Sequence, residues 1–88
     1  MTRKIITIQN KLGLHARPAA LVVSEASRFG SEITLNKDGL EVNAKSIMGV
    51  MMLAAEMGSQ ILIAADGEDE KLAVQALEAL FASKFNED

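Results

Sequence analysis

The sequence predicts an α+β fold, an open-faced β-sandwich in the order β-α-β-β-α-β-α, with a four-stranded, mainly antiparallel sheet and three helices on one face. Three observations carry that expectation. Short apolar runs alternate with polar residues at period two, which makes strands with one solvated face. Other stretches repeat apolar residues every three to four positions, the spacing of amphipathic helices. Turn signals rich in Gly, Asn and Asp separate these segments. No linker, internal repeat or low-complexity stretch interrupts residues 1–88, so a single domain is expected.

Residues 4–8 are β-branched and read as a strand, and Asn10 to Gly13 breaks it. From Ala16 to about Arg28, apolar residues fall at Ala19, Val22, Val23, Ala26 and Phe29, with Gly30 placed to end the helix. Ile33 and Leu35, then Leu40 and Val42, alternate on either side of Lys37-Asp38-Gly39, a hairpin signal. Ser46 is a plausible N-cap for the apolar run Ile47 to Ala55, and Gly58 is placed to close it. Gln60 to Ala65 reads as a short apolar strand stopped by Asp66-Gly67. Glu68, Asp69 and Glu70 suit the positive start of the last helix. Its apolar stripe runs through Ala73, Ala76, Leu77, Leu80, Phe81 and Phe85.

Composition narrows the function. Eighty-eight residues leave no room for a multidomain enzyme with its own cofactor fold. The 49% hydrophobic content is far from disorder. With no cysteine there is no disulfide scaffold, thiolate metal site or thiol nucleophile. A net charge of −3 and aromatics limited to three Phe argue against nucleic-acid binding. Residues 1–9 lack a signal-peptide core, and the longest apolar run is too short to span a bilayer. A cytoplasmic monomer with no cofactor, no metal and no membrane insertion is expected.

The segment Gly13-Leu14-His15-Ala16-Arg17-Pro18 holds the one histidine of the chain. Pro18 in the first turn of a helix costs no hydrogen bond and favours helix entry. His15 then falls at or beside the N-cap, where backbone N–H groups lack internal partners and form an anion site. Arg17 adds a permanent cation whose donor fork matches phosphate oxygens. Gly13 is expected to leave the approach to the imidazole open. A neutral imidazole has a lone pair able to attack phosphorus. The residues alone leave two readings of His15: a phosphoryl acceptor, or an ordinary loop histidine. No second His or Cys exists to complete a transition-metal site.

Leu14-His15-Ala16-Arg17-Pro18-Ala19 resembles the active-site signature of HPr, the histidine-containing phosphocarrier family of the bacterial phosphotransferase system. Lys45-Ser46-Ile47-Met48-Gly49-Val50-Met51-Met52-Leu53 resembles the family's other signature, around its regulatory serine. The resemblance covers essentially the whole chain. It implies that His15 accepts a phosphoryl group from phosphorylated enzyme I, itself charged by phosphoenolpyruvate, and passes it to a histidine of an enzyme IIA in sugar uptake. It also implies that the δ nitrogen carries the phosphate, that Arg17 stabilises it, and that the protein is a stoichiometric carrier rather than an enzyme. Asn10 to His15 and the ending Ala79 to Asp88 resemble the nitrogen-related NPr branch. That points to an alternative, a regulatory phosphorelay or interaction protein whose binding depends on phosphorylation of His15 or Ser46.

Ser46 has a structural role, capping the helix at about 1 kcal/mol, whatever else it does. The resemblance adds phosphorylation by an HPr kinase/phosphorylase and recruitment of a transcriptional regulator. A phosphate at an N-cap complements the helix dipole, so its effect would fall on partners rather than on the fold. Ile47, Val50, Leu53 and Ala54 suit the core face of this helix. Met48, Met51 and Met52 are either core filler or an exposed, adaptable patch. The resemblance favours the patch, a partner-binding surface of Ala16, Ile47, Met48, Gly49 and Met51. Ser24, Ser27 and Gly49 stand where some relatives place lysines, which shifts docking toward apolar contact. Leu12 replaces a small polar residue common before the active loop in many relatives.

Overall fold

In the computed structural model, which describes residues 1–86, the elements follow in the expected order. They are β1 (Thr2–Thr7), α1 (Ala16–Ala26), β2 (Glu32–Lys37), β3 (Leu40–Asn43), α2 (Ile47–Met52), β4 (Gln60–Asp66) and α3 (Glu70–Ala82), followed by a short 3-10 turn over Lys84–Asn86. The strands form one sheet in the order β1-β4-β2-β3, and all three pairings are antiparallel. β4, the last strand in sequence, therefore lies in the interior of the sheet. Its alternation explains both faces: Ile61, Ile63 and Ala65 are buried, while Leu62 and Ala64 are only partly covered on the open face. Across the registers Ile6↔Ile61 and Leu35↔Ile63, the buried side meets Ala19 and Val22 of α1, Val50 of α2, and Leu77 and Phe81 of α3 in one apolar cluster. Burying each large side chain is worth about 1.5–3 kcal/mol. The β2–β3 turn has Asp38 at φ 52 and Gly39 at φ 88, the paired left-handed residues that a two-residue hairpin turn requires.

The helix ends depart from expectation. α1 stops at Ala26, and the Ser27 N–H reaches the Val23 carbonyl at 2.9 Å. Gly30 takes no left-handed conformation; its N–H instead donates to Asp69 Oδ2 at 2.9 Å. α2 has only six residues, ending before Leu53 and Ala54, with Ala54 rather than Gly58 supplying the left-handed residue at φ 48. Gly58 instead joins the approach to β4, donating to the Ile8 carbonyl at 2.9 Å. In α3, Val74 is buried with Ala73, Leu77 and Phe81, while Ala76 and Leu80 are half-buried. Phe85 belongs to the core from outside the helix: Lys84, Phe85 and Asn86 all have φ between 56 and 59, and the Phe85 ring meets Phe81 edge-on at 5.1 Å. Left-handed residues cost about 1–2 kcal/mol each, and this aromatic burial offsets part of that cost.

Candidate functional site

The loop before α1 is held from both sides. Asn10 is buried, its Nδ2 donates to the Gly13 carbonyl at 2.8 Å, and the Gly13 N–H donates to the Asn10 carbonyl at 3.2 Å. Gly13 has φ +68, and a Cβ on it would lie 2.2 Å from the Ala55 carbonyl oxygen and 2.7 Å from the Glu56 Cα. Its role is thus to let the loop close on the segment after α2, rather than to keep the imidazole uncrowded. Leu14 buries its side chain there and donates its N–H to the same Ala55 carbonyl at 2.8 Å. Asn10 and Gly13, turn-favouring residues three positions apart, are the sequence signal from which this lock could be found.

His15 follows as the N-cap of α1, extended at φ −81 and ψ −167, with its side chain half-buried. Its carbonyl accepts the first intrahelical bond, from the Ala19 N–H at 2.9 Å, and its ring makes no capping hydrogen bond. The Ala16 and Arg17 amides precede that first bond, Pro18 has no N–H, and the first turn carries no acidic residue. Ala16 and Arg17 are exposed. The Arg17 guanidinium donates from Nη1 to the Phe85 carbonyl at 2.8 Å, a partner that the sequence did not foretell. The helix start, the imidazole and the arginine are therefore on one end of α1, beside the left-handed turn that follows α3.

Ser46 is half-buried and caps α2 as expected, its Oγ accepting the Gly49 N–H at 3.1 Å. Lys45 Nζ donates to the Phe29 carbonyl at 2.7 Å, which sets the start of α2 near the end of α1. The segment after α2 lies against the loop that leads into α1. Ser46 and His15 consequently stand at opposite ends of the α1–α2 pair. Val50 and Leu53 are buried, whereas Met48, Met51 and Met52 are exposed. Ile47 at 46% and Ala54 are exposed too, against the core-facing expectation for both, because a six-residue helix presents only the Val50–Leu53 stripe inward. Gly49 is half-buried. Leu12, 72% exposed, and Met57 extend this apolar surface around the His15 loop.

At its start, α3 is the electrostatic opposite of α1. Asp69, its N-cap, accepts the Ser31 hydroxyl and the N–H groups of Gly30 at 2.9 Å and Ser31 at 3.0 Å. The Ser31 hydroxyl above all, then the Gly30 N–H, holds this carboxyl below its ordinary range. Glu70 accepts the Thr2 hydroxyl at 2.6 Å and the Gly67 N–H at 3.1 Å, and pairs with the N-terminal ammonium at 3.1 Å. These partners, the Thr2 hydroxyl first, pull its pKa down to about 2. Among the described residues there is no cluster of three His, Cys, Asp or Glu fit to hold a metal, and no helix long and apolar enough to cross a membrane.

Comparison with known proteins places these features in a family context. The family model described as "PTS HPr component phosphorylation site" matches residues 2–83. A phosphocarrier protein HPr of Xylella fastidiosa is 58% identical over 83 residues, 94% of this chain and 93% of its own length. An HPr-like protein Crh of Bacillus subtilis is 51% identical over 79 residues, covering 90% and 93% of the two chains. A phosphocarrier protein NPr of Proteus mirabilis is 46% identical over 84 residues, covering 94% and 93%. Among solved structures, HPr-C-His from Thermoanaerobacter tengcongensis superposes with a TM-score of 0.97 at 51% identity, covering 100% of this chain and 99% of that one. An HPr dimer from the same organism gives 0.80 at 52% identity, over 99% of this chain and all of that one. The NPr-like ending expected at residues 79–88 includes Glu87 and Asp88, which lie outside the described residues.

Proposed function

The chain belongs to the HPr family of the phosphotransferase system, and on that premise we propose that His15 accepts a phosphoryl group from phosphorylated enzyme I and passes it to a histidine of an enzyme IIA in sugar uptake. The observation that carries this reading is the α1 start: an imidazole at the N-cap, two first-turn amides beside it and no acidic side chain in that turn. An imidazole lone pair attacks phosphorus while the bond from phosphorus to enzyme I breaks, so the group moves intact with no water consumed. The helix end then faces the added negative charge. Arg17, one helical position past Ala16, supplies N–H donors to the same charge. The second transfer repeats the step in the opposite sense. Sugar uptake ranks ahead of a nitrogen-branch relay because identity to an HPr, 58%, exceeds identity to an NPr, 46%.

Ser46 supports a second, compatible role. Its capping oxygen sits at the start of α2, where a phosphate complements the helix dipole, and an HPr-like Crh is 51% identical to this chain. Phosphorylation there by an HPr kinase/phosphorylase would act through partners of α2, a transcriptional regulator among them, because Ser46 lies at the far end of α1 from His15. The protein is read as a cytoplasmic monomer, the alternative being a dimer of the kind solved for a 52% identical relative, and sedimentation at micromolar concentration separates the two.

The test is incubation with phosphoenolpyruvate and enzyme I. One phosphate should appear by mass, stable in alkali and lost in acid, and His15→Ala should abolish it. Equal labelling of His15→Ala would remove the carrier assignment. Incubation with ATP and HPr kinase should add an acid-stable phosphate that Ser46→Ala no longer takes.

A further inference from the structure

The five methionines of the chain are Met1, Met48, Met51, Met52 and Met57, and not one of them contributes to the buried core. That core is built from Ile, Leu, Val, Ala and Phe. Met48 is 76% exposed, Met52 65%, Met57 56% and Met51 44%. Three belong to α2, and Met57 follows Glu56, whose Cα lies against Gly13 of the His15 loop. The chain has no cysteine, so every oxidisable sulfur is a thioether, and four of the five flank one surface. Methionine used as core filler would unfold a protein on oxidation; methionine confined to a surface changes only that surface.

We propose that Met48, Met51, Met52 and Met57 form a reversible oxidation site, through which peroxide switches off docking at α2 while the fold stays intact. The inference rests on the reading of α2 as the partner surface. Each thioether sulfur gives two electrons to the peroxide O–O bond and takes one oxygen as sulfoxide, while the other oxygen leaves as water. A methionine sulfoxide reductase reverses the step, its two thiols becoming a disulfide as the oxygen departs as water. The sulfoxide replaces a flexible apolar group by a polar one, so an apolar contact with enzyme I or an enzyme IIA loses its driving force. Val50 and Leu53, which anchor α2 to the core, carry no sulfur and keep the helix in place.

The protein alone is treated with hydrogen peroxide, the peroxide is removed with catalase, and only then are phosphoenolpyruvate and enzyme I added. Peptide mass mapping should find one oxygen on each of the four methionines, and the thermal midpoint should stay where it was. Phosphorylation of His15 should slow by about tenfold, the scale on which a few interface side chains act. Methionine sulfoxide reductases with dithiothreitol should restore it. A variant carrying Met48→Leu, Met51→Leu, Met52→Leu and Met57→Leu should transfer at a similar rate before and after peroxide. Full transfer by the sulfoxide form, or a loss that reductase does not reverse, overturns the proposal. Met51→Asp separates it from the docking reading. If that charge slows transfer but the sulfoxides do not, docking at α2 stands and the redox switch falls; if neither slows transfer, both fall.

Discussion

The starts of α1 and α3 are two solutions to the same electrostatic problem. Each helix leaves N–H groups and a partial positive charge at its first turn. At α3 two carboxylates stand at this end: Glu70 takes the Gly67 N–H and the N-terminal ammonium, and Asp69 binds the Gly30–Ser31 backbone. At α1 the first turn has no carboxylate and a proline removes one donor, while at neither helix does the N-cap side chain make a capping bond. The two ends are coupled, since Asp69 binds the turn after α1 and Arg17 of α1 binds the turn after α3. The difference teaches how to tell a structural helix end from a reactive one. Where the first turn carries a carboxylate of its own, that end stabilises the fold; where it carries none, it suits an anion brought from outside.

The largest effect should come from breaking the support of the α1 end. Gly13→Ala places a Cβ against the Ala55 carbonyl and forces a left-handed alanine, so unfolding stability should drop by about 2–4 kcal/mol, read from urea denaturation. An unchanged urea midpoint would mean that the loop closes in another way. Next, Ala16→Glu makes the α1 start resemble that of α3. Ala16 is exposed, so stability should hold or rise by a few tenths of a kcal/mol, as a carboxylate suits a helix start. Phosphoryl transfer to His15 should instead fall by about tenfold, about 1.4 kcal/mol of repulsion in the transition state. Stability and transfer moving in opposite directions is the outcome that confirms the contrast. If transfer is unaffected, the phosphate does not sit at this end. A smaller change is Ser46→Ala, which removes the α2 cap and should cost about 1 kcal/mol while leaving His15 a competent acceptor.

Much of this contrast was legible in the sequence because it is local. Pro18 after His15, Ser46 before an apolar run, and a cluster of acids at 68–70 each declare a helix start within a few residues. The Lys37-Asp38-Gly39 turn did the same for the hairpin, and the observed pairing of β2 with β3 follows from it. What stayed hidden was long-range. Nothing local says that the Arg17 guanidinium meets the Phe85 carbonyl, or that Gly13 is small because of Ala55. Helix ends misled for a related reason: Gly30 and Gly58 looked like terminators, but Ala54 accepts a left-handed conformation because buried neighbours Leu53 and Ala55 fix the chain on either side. Ile47 fits the inward stripe by spacing alone, and only the brevity of α2 leaves it outside.

The most modest effect belongs to acid, and it tests the α3 side of the contrast. Glu70 has its folded pKa lowered from 4.5 to about 2, and Asp69 is also lowered. On unfolding, both regain ordinary carboxyl pKa values, so the unfolded chain binds more protons as the pH falls. The stability they supply is therefore fully present above about pH 4.5 and is lost as the pH drops toward 2. Glu70→Gln should lower the urea midpoint at pH 7 and flatten its fall between pH 4.5 and 2, because the glutamine cannot titrate. Asp69→Asn should behave likewise, with the added loss of one of the two carboxylate acceptors that bind the Gly30–Ser31 backbone. Neither change touches the α1 start, so at pH 7 transfer to His15 should keep its rate in both variants. A Glu70→Gln protein with the same acid slope as the parent would mean that its carboxylate does not stabilise the α3 end, and the distinction between an acidic and an acid-free helix start would lose its structural half.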